Sequence, residues 1–529
     1  MTEHINQQFP KYDEENDNRF SRRDLFKIVG SATLASALPI DASAGSTNAA
    51  GSNPAGSAGS DNQVHHSLAD PIYFSSVCAL SQAIQKKAVS SEEVVRACLE
   101  RIKVVNPKLN AVVQQNQKES IERARQADAA LARGENWGPL HGVPMTIKDS
   151  FDTAGLISTG GTLGRKNFVP TEDATVVKRL REAGAILLGK TNTPEFTLSF
   201  ETDNLVYGKT NNPYDITKSP GGSSGGAAAI IAAGGSPFDI GSDLGGSIRF
   251  PAHLCGIVGI KPTSGRVPRT GHIYPFGGLQ DSFQQVGPLA RYVDDLALLL
   301  PIIMGPDWID PSIIAMPWHD PATIDITKLR ISFHTDNGVV TPTPETMQTV
   351  TKVAKSLANA KIAVEEVRPT GIEETFAVGW PFFLWDSGAG IKQILKKAGT
   401  VQHSPQLQGV FDSPALSVSE LDQLIMRWYE WRSKMLMFMK NYDVIVSPAN
   451  ASPGHPHGLT SNPDNLPIYS YTVTHNLTGW PGVVVRAGTS PEGMPIGVQI
   501  VARPGCEDVA LAVAKFVETI HGGYQRPSI

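Results

Sequence analysis

Two glycine-serine segments between Ser219 and Pro251 constrain this chain more than any other feature. The first, Ser219-Pro220-Gly221-Gly222-Ser223-Ser224-Gly225-Gly226, leads directly into Ala227-Ala228-Ala229-Ile230-Ile231-Ala232-Ala233. The second, Asp243-Leu244-Gly245-Gly246-Ser247-Ile248-Arg249-Phe250-Pro251, follows the strand-like Phe238-Asp239-Ile240. The first is therefore read as a glycine-rich turn that opens an alanine-rich helix. Successive glycines let backbone N–H groups converge on one small space, which suits an anion. A serine set in such a space can attack a carbonyl while those N–H groups hold the developing oxyanion. Losing one donor of that kind typically costs roughly 3 to 4 kcal/mol of barrier lowering.

A nucleophilic serine also needs a base. No histidine stands beside either segment except His253, so Lys148 is the better candidate. It ends Gly142-Val143-Pro144-Met145-Thr146-Ile147-Lys148 and is followed by Asp149. The apolar residues before it predict a short buried strand, which would leave the ammonium poorly solvated. A free lysine titrates near ~10.4 and is almost wholly charged at neutral pH. Burial disfavours the charge and lowers that value by up to several units.

The surrounding sequence alternates helix and strand signals. Ser90-Ser91-Glu92-Glu93 has the pattern of a capping box, and Val94, Cys98, Ile102 and Val105 then recur at helical spacing. Helices are also predicted over 121–133, 174–183 and 507–520, and strands over 143–147, 186–188, 444–446, 483–485 and 496–501. Alternation of this kind predicts an α/β fold, with a twisted mixed β-sheet covered by α-helices. Length alone suggests about three domains. However, no repeat and no strong linker interrupts the chain after about Ala69, which favours one large domain. The net charge is −5 with no long basic run, which argues against a nucleic-acid partner. No run of about 18 apolar residues suggests a spanning helix. Cys78, Cys98, Cys255 and Cys506 lack metal-site spacing and are read mostly as buried free thiols.

The first residues read differently. Ser21-Arg22-Arg23-Asp24-Leu25-Phe26-Lys27 precedes a mild apolar run, with Ala42-Ser43-Ala44 as a candidate cleavage site. The pair of arginines resembles a bacterial twin-arginine export signal. Residues 1–44 are assigned to that signal and 45–67, rich in Gly, Ser and Ala, to a flexible linker. The folded body is then 68–529. The expected partner is the twin-arginine export machinery, and the expected location is periplasmic or secreted.

Three blocks carry a family resemblance. Gly138-Pro139-Leu140-His141-Gly142-Val143-Pro144 with Ile147-Lys148-Asp149, then Gly221-Gly222-Ser223-Ser224-Gly225-Gly226, then Gly245-Gly246-Ser247-Ile248-Arg249-Phe250-Pro251 resemble the blocks of the amidase signature family, in order. Lys148 stands 75 residues before Ser223, and Ser223 stands 24 before Ser247, intervals similar to those of the fatty-acid-amide-cleaving branch. The resemblance runs from about Leu68 to Ile520 and is dense from Gly138 to Arg266. It implies a Ser-Ser-Lys triad, with Ser247 as nucleophile, Ser223 as proton relay and Lys148 as base. It implies an oxyanion hole from the backbone N–H groups of Leu244, Gly245, Gly246 and Ser247. Ser224, Asp243 and Arg249 match positions that brace the site. The implied activity is hydrolysis of carboxylic amides through an acyl-enzyme, with a small-molecule amide as substrate and no cofactor or metal. A homodimer is left open, because the family is often dimeric.

Other readings compete. Gly221-Gly222-Ser223-Ser224-Gly225 satisfies the G-x-S-x-G nucleophile elbow of α/β-hydrolase esterases, with Ser223 as nucleophile and a later His455 or His475 as base. The stretch before it, with Pro213 and Pro220, lacks the strand an elbow needs. A phosphate-binding module would need a lysine after the glycines, whereas Lys218 precedes them. The glutaminase component of a tRNA-dependent amidotransferase belongs to the same superfamily, but the export signal and Thr193-Pro194-Glu195-Phe196 depart from it. His455-Pro456-His457 is read as loop surface in preference to a metal pair. Trp380, Phe382, Phe383 and Trp385 are read as core or as one wall of an acyl pocket. Met426, Trp428, Tyr429 and Trp431 are read as core. His272 and Tyr274 are read either as substrate contacts or as part of a solvated loop.

Overall fold

The computed structural model describes residues 67–529, so the predicted export signal and residues 45–66 of the predicted linker lie outside the described residues. The described chain builds two principal sheets. The smaller has the order β1-β3-β2, with β1 at Val112–Gln115, β2 at Pro144–Lys148 and β3 at Ile186–Thr191. Strands β2 and β3 are parallel, and β1 joins β3 antiparallel. The larger sheet uses β5 (Phe238–Asp243), β6 (Val258–Lys261), β7 (Gln285–Ala290), β8 (Arg330–Phe333), β9 (Ala363–Glu366), β10 (Val444–Pro448), β12 (Gly482–Thr489) and β13 (Pro495–Ala502). Its order is β5-β7-β6-β12-β13-β10-β8-β9. The β10–β8 and β8–β9 pairs are parallel and the rest antiparallel, so the sheet is mixed. A two-stranded ribbon pairs β4 (Lys218–Ser219) with β11 (His455–Pro456).

Helices cover the sheets, as the alternation predicts. Ser90 caps the helix Ser91–Leu109 by accepting from the Glu93 N–H (3.1 Å). The terminal helix Glu507–His521 lays Ala510, Leu511, Ala514 and Val517 onto the core. Strand β13 is buried along its whole length, which is why Pro495-Ile496-Gly497-Val498-Gln499-Ile500-Val501-Ala502 is nearly continuously apolar. Among the described residues no helix is long and apolar enough to cross a membrane.

The expected mixed sheet is joined by a smaller three-stranded one, and the contact between them places the site. Side chains alternate along a strand, so Met145 and Ile147 of β2 enter the core while Thr146 and Lys148 take the other face. Met145 and Ile147 share one apolar cluster with Phe238 and Ile240 of β5, an edge strand of the large sheet. Full burial of such a side chain is worth roughly 1.5 to 3 kcal/mol. The contact therefore pins the end of β2, with Lys148, against the end of β5, where the second glycine-serine segment begins.

Candidate active site

Lys148 lies at the centre of a hydroxyl cluster. Its Nζ is 2.7 Å from Ser223 Oγ, 3.0 Å from Ser224 Oγ and 3.0 Å from Ser242 Oγ. All four side chains are buried. Burial lowers the Lys148 amine well below the ordinary lysine range, against the opposing pull of Asp239 and Asp243. Asp239 sits beneath the lysine and accepts from Thr146 Oγ1 (2.7 Å) and Thr191 Oγ1 (3.0 Å). Burial pushes its carboxyl up to about 7, so it opposes a neutral lysine less than an ordinary aspartate would.

The first glycine-serine segment turns into the helix Gly225–Ala232, as expected. Strand β5 passes close beside it at Gly241, where a Cβ would stand 2.7 Å from Ser224 Oγ. The Ser224 N–H donates to the Ser247 carbonyl (3.1 Å), which ties the two segments together.

The second segment is organised by Asp243. Its carboxylate accepts from the N–H groups of Gly246 (2.8 Å) and Ile248 (3.2 Å). Arg249 donates Nε–H to Oδ2 (3.0 Å) and Nη2–H to Oδ1 (2.9 Å), with both side chains fully buried. Burial alone would raise the Asp243 carboxyl, but Arg249 and Asn476 outweigh it and hold it well below the usual carboxylate range. The segment is braced from elsewhere as well. Thr472 Oγ1 donates to the Gly245 carbonyl (2.8 Å), Asn476 Nδ2 to Asp243 Oδ1 (2.8 Å), and Arg249 Nη1 to Gln499 Oε1 (2.7 Å). Gly246 has φ +130°, and a Cβ there would meet Thr472 Oγ1 at 2.2 Å, so only glycine fits.

The expected triad is therefore assembled in part. Lys148, Ser223 and Ser224 come together as predicted. Ser247 joins them through its backbone, and among the described residues no hydrogen bond links its Oγ to Ser223. At 4% exposure Ser247 is the most open of the cluster's serines, whereas Ser223 is 1% exposed. Of the four N–H groups expected to form the oxyanion hole, that of Gly246 donates to Asp243. Among the described residues the N–H groups of Leu244, Gly245 and Ser247 have no protein acceptor.

Several readings are corrected. His272 is not solvated: it is buried, packs edge-on against Phe151 and places Nε2 3.0 Å from Ser242 Oγ. His455 is not on the surface either; it is buried in β11 beside Asn450 (3.0 Å) and Phe250. Neither His455 nor His475 bonds to Ser223, as the elbow reading requires. Met426 and Tyr429 are exposed, while Trp428 and Trp431 are core. Ser242, Thr472, Asn476 and Gln499 went unrecognised, since none stands in a distinctive local pattern. Two surface clefts share no residue with this cluster. One, of ≈ 410 Å³, includes Asn116, Arg123 and Arg181, and the other, of ≈ 550 Å³, includes Lys103, Asn110 and Tyr207. Among the described residues no group of three or more His, Cys, Asp or Glu side chains is arranged to hold a metal ion.

A mixed sheet under helices, carrying a buried lysine among serines beside a glycine turn with open N–H groups, is the arrangement of a hydrolase site built on serine and lysine. Residues 93–511 match the family Amidase, and the chain belongs to the amidase signature family of amidohydrolases. It is 32% identical over 494 residues to a glutamyl-tRNA(Gln) amidotransferase subunit from Moorella thermoacetica, covering 87% of this chain and 99% of that protein. It is also 32% identical over 501 residues to fatty-acid amide hydrolase 2-B of Danio rerio, covering 87% of this chain and 92% of that one. Its fold is similar to that of 6-aminohexanoate cyclic dimer hydrolase solved with substrate, with a TM-score of 0.77, 26% identity and coverage of 86% and 99%.

Proposed function

We infer that this enzyme hydrolyses carboxylic amides through a Ser247 acyl-enzyme, with Ser223 as relay and Lys148 as base. The observation that carries the reading is the buried Lys148 amine 2.7 Å from Ser223 Oγ. Neutral Lys148 accepts the Ser223 proton, Ser223 accepts the Ser247 proton, and Ser247 Oγ attacks the amide carbon. The N–H groups of Leu244, Gly245 and Ser247 receive the oxyanion. The proton then returns along the chain to the nitrogen, which leaves as an amine and not as a strongly basic anion. Water hydrolyses the ester by the reverse relay.

The acyl side is assigned to an apolar group. Leu244, beside the oxyanion N–H groups, belongs to one cluster with Phe250, Phe283, Phe382 and Trp428. Phe200 stacks on Tyr469 (3.7 Å) and lies against Gly245. This supports uncharged amides with apolar acyl chains, as in the fatty-acid-amide branch. The similarity to the amidotransferase favours a second reading, glutaminase activity within a complex of that kind. Setting glutamine beside N-alkanoyl amides in one substrate panel separates the two.

The test of the chemistry is peptide mapping after treatment with an alkyl fluorophosphonate. Labelling is expected on Ser247 and is lost in Ser247→Ala; a label on Ser223 would reverse the relay or restore the elbow reading. Export through the twin-arginine route is part of the same proposal. The double replacement Arg22→Lys, Arg23→Lys is expected to leave the chain inside the cytoplasm of a bacterial host, and undiminished appearance in the periplasmic fraction would refute it.

A further inference from the structure

We propose that His272 is a positioning residue for the Lys148 base: by donating its Nε2–H to Ser242 Oγ, it turns the Ser242 hydroxyl proton toward Lys148 Nζ and so favours the neutral amine. The proposal rests on the reading of Lys148 as base given above.

The argument is a count of donors and acceptors. His272 Nδ1 faces two N–H groups, the Gln284 side-chain amide at 2.9 Å and the Tyr274 backbone at 3.2 Å. The Tyr274 carbonyl also lies 3.2 Å away, but a hydrogen on Nδ1 would turn both facing N–H groups against it. The backbone N–H of Tyr274 is a donor whichever way the Gln284 amide is turned. Nδ1 is therefore the acceptor, and Nε2 carries the hydrogen, 3.0 Å from Ser242 Oγ. Among the described residues, Ser242 Oγ has two partners, His272 Nε2 and Lys148 Nζ. With one lone pair given to His272, its own proton has a single available acceptor, the lone pair of a neutral Lys148. An ammonium at Lys148 has no lone pair. It leaves the Ser242 proton buried and unpaired, which is unfavourable.

Ser224 differs from Ser242. Its hydroxyl proton can go to the Ser242 carbonyl (3.4 Å), leaving its oxygen to accept from Lys148 in either state. A turn of about 120° about the Lys148 Cε–Nζ bond moves the lone pair from Ser242 to Ser223, which lies at a similar distance. When Ser223 passes its proton to Lys148, Ser242 loses its acceptor. That loss favours return of the same proton through Ser223 to the leaving nitrogen. The charged or titratable groups that face Lys148 are Asp239 and Asp243 from β5 and His272 from its loop; those that face His272 are Lys148 and Arg269. Burial, reinforced by Lys148, lowers the His272 imidazole to about 3, so it remains a neutral donor where the lysine titrates.

The experiment follows the rate of fluorophosphonate labelling at Ser247 in the full chain between about pH 5 and 10. His272→Phe is expected to move the acid limb up by about one pH unit, making labelling about tenfold slower at the acid end with no change on the alkaline plateau. His272→Gln, whose amide N–H can replace Nε2–H, restores the limb. In a Ser242→Ala background, His272→Phe has no further effect. An equal loss at every pH, a limb that moves down, or additive effects of the two replacements would overturn the proposal and leave the base reading intact. Wild-type chain that does not label at Ser247, or Lys148→Met chain that labels equally fast, overturns the base reading and this proposal with it.

Discussion

Replacing Lys148 with methionine is expected to slow acyl transfer to Ser247 by about 10²- to 10⁴-fold near neutral pH, the usual contribution of a general base. The size of the deficit should depend on pH in a defined direction. With Lys148 as the proposed base, the active species carries a neutral amine there, so the rate rises as pH passes the native pKa of that amine. Burial puts this value well below the ordinary lysine range, so the wild type reaches its plateau far below ~10.4. The methionine variant has no amine to deprotonate and relies on solvent hydroxide, whose concentration rises tenfold per pH unit. The two rates therefore approach each other at the alkaline end. Labelling rates of both chains against pH provide the check. A ratio that stays constant across the range would show that Lys148 braces the site without moving a proton.

The largest loss of stability is expected from Arg249→Met. Arg249 and Asp243 are both fully buried and joined by two hydrogen bonds. Removing one partner of such a pair typically costs about 3 to 5 kcal/mol, because the remaining charge is left without compensation. Asp243 also holds the N–H groups of Gly246 and Ile248, so the turn around Ser247 should lose its shape and its labelling. In the wild type the Asp243 carboxyl is depressed, so its stabilising contribution is complete above about pH 4 and lost as pH falls through the native value. In the variant burial is opposed only by the weaker pulls of Asn476 and Lys261 and raises that carboxyl. Its native state then binds a proton more readily than its unfolded state, and the defect should narrow as pH falls from 7 toward about 4. Denaturant unfolding at several pH values measures both effects. The double variant Asp243→Asn, Arg249→Met should recover part of the stability, having no unpaired charge, without recovering activity. An unfolding midpoint unchanged in Arg249→Met would show that the pair is not strongly coupled in solution.

Much of the element pattern was legible because it depends on spacing a few residues long. Ser90 caps its helix, the glycine run opens the helix Gly225–Ala232, and the strands around 444, 483 and 496 lie where runs of β-branched residues place them. Strands β1, β8 and β9 were not legible. Each has four residues, too few for alternation to stand out, and β9 is mostly exposed. The separation of β2 and β3 into their own sheet was likewise hidden, since no local signal states which strands pair.

The sequence by itself marked the candidate reacting groups, a lysine at the end of an apolar strand and serines set among glycines, whereas Asp243 and Arg249 were reached only through the family resemblance. The lysine and serine features are local, and backbone sterics and burial suffice to read them. Only the tertiary structure decided what surrounds those groups. Packing of β2 on β5 brought Ser242 to Lys148 across 94 residues, and the loop after Arg269 folded His272 back onto Ser242. The helix Ser470–Thr478 and β13 supplied Thr472, Asn476 and Gln499 from 227 to 250 residues away. Such contacts arise when separate apolar surfaces close on one another, and no periodicity along the chain records which polar side chains that closure brings together.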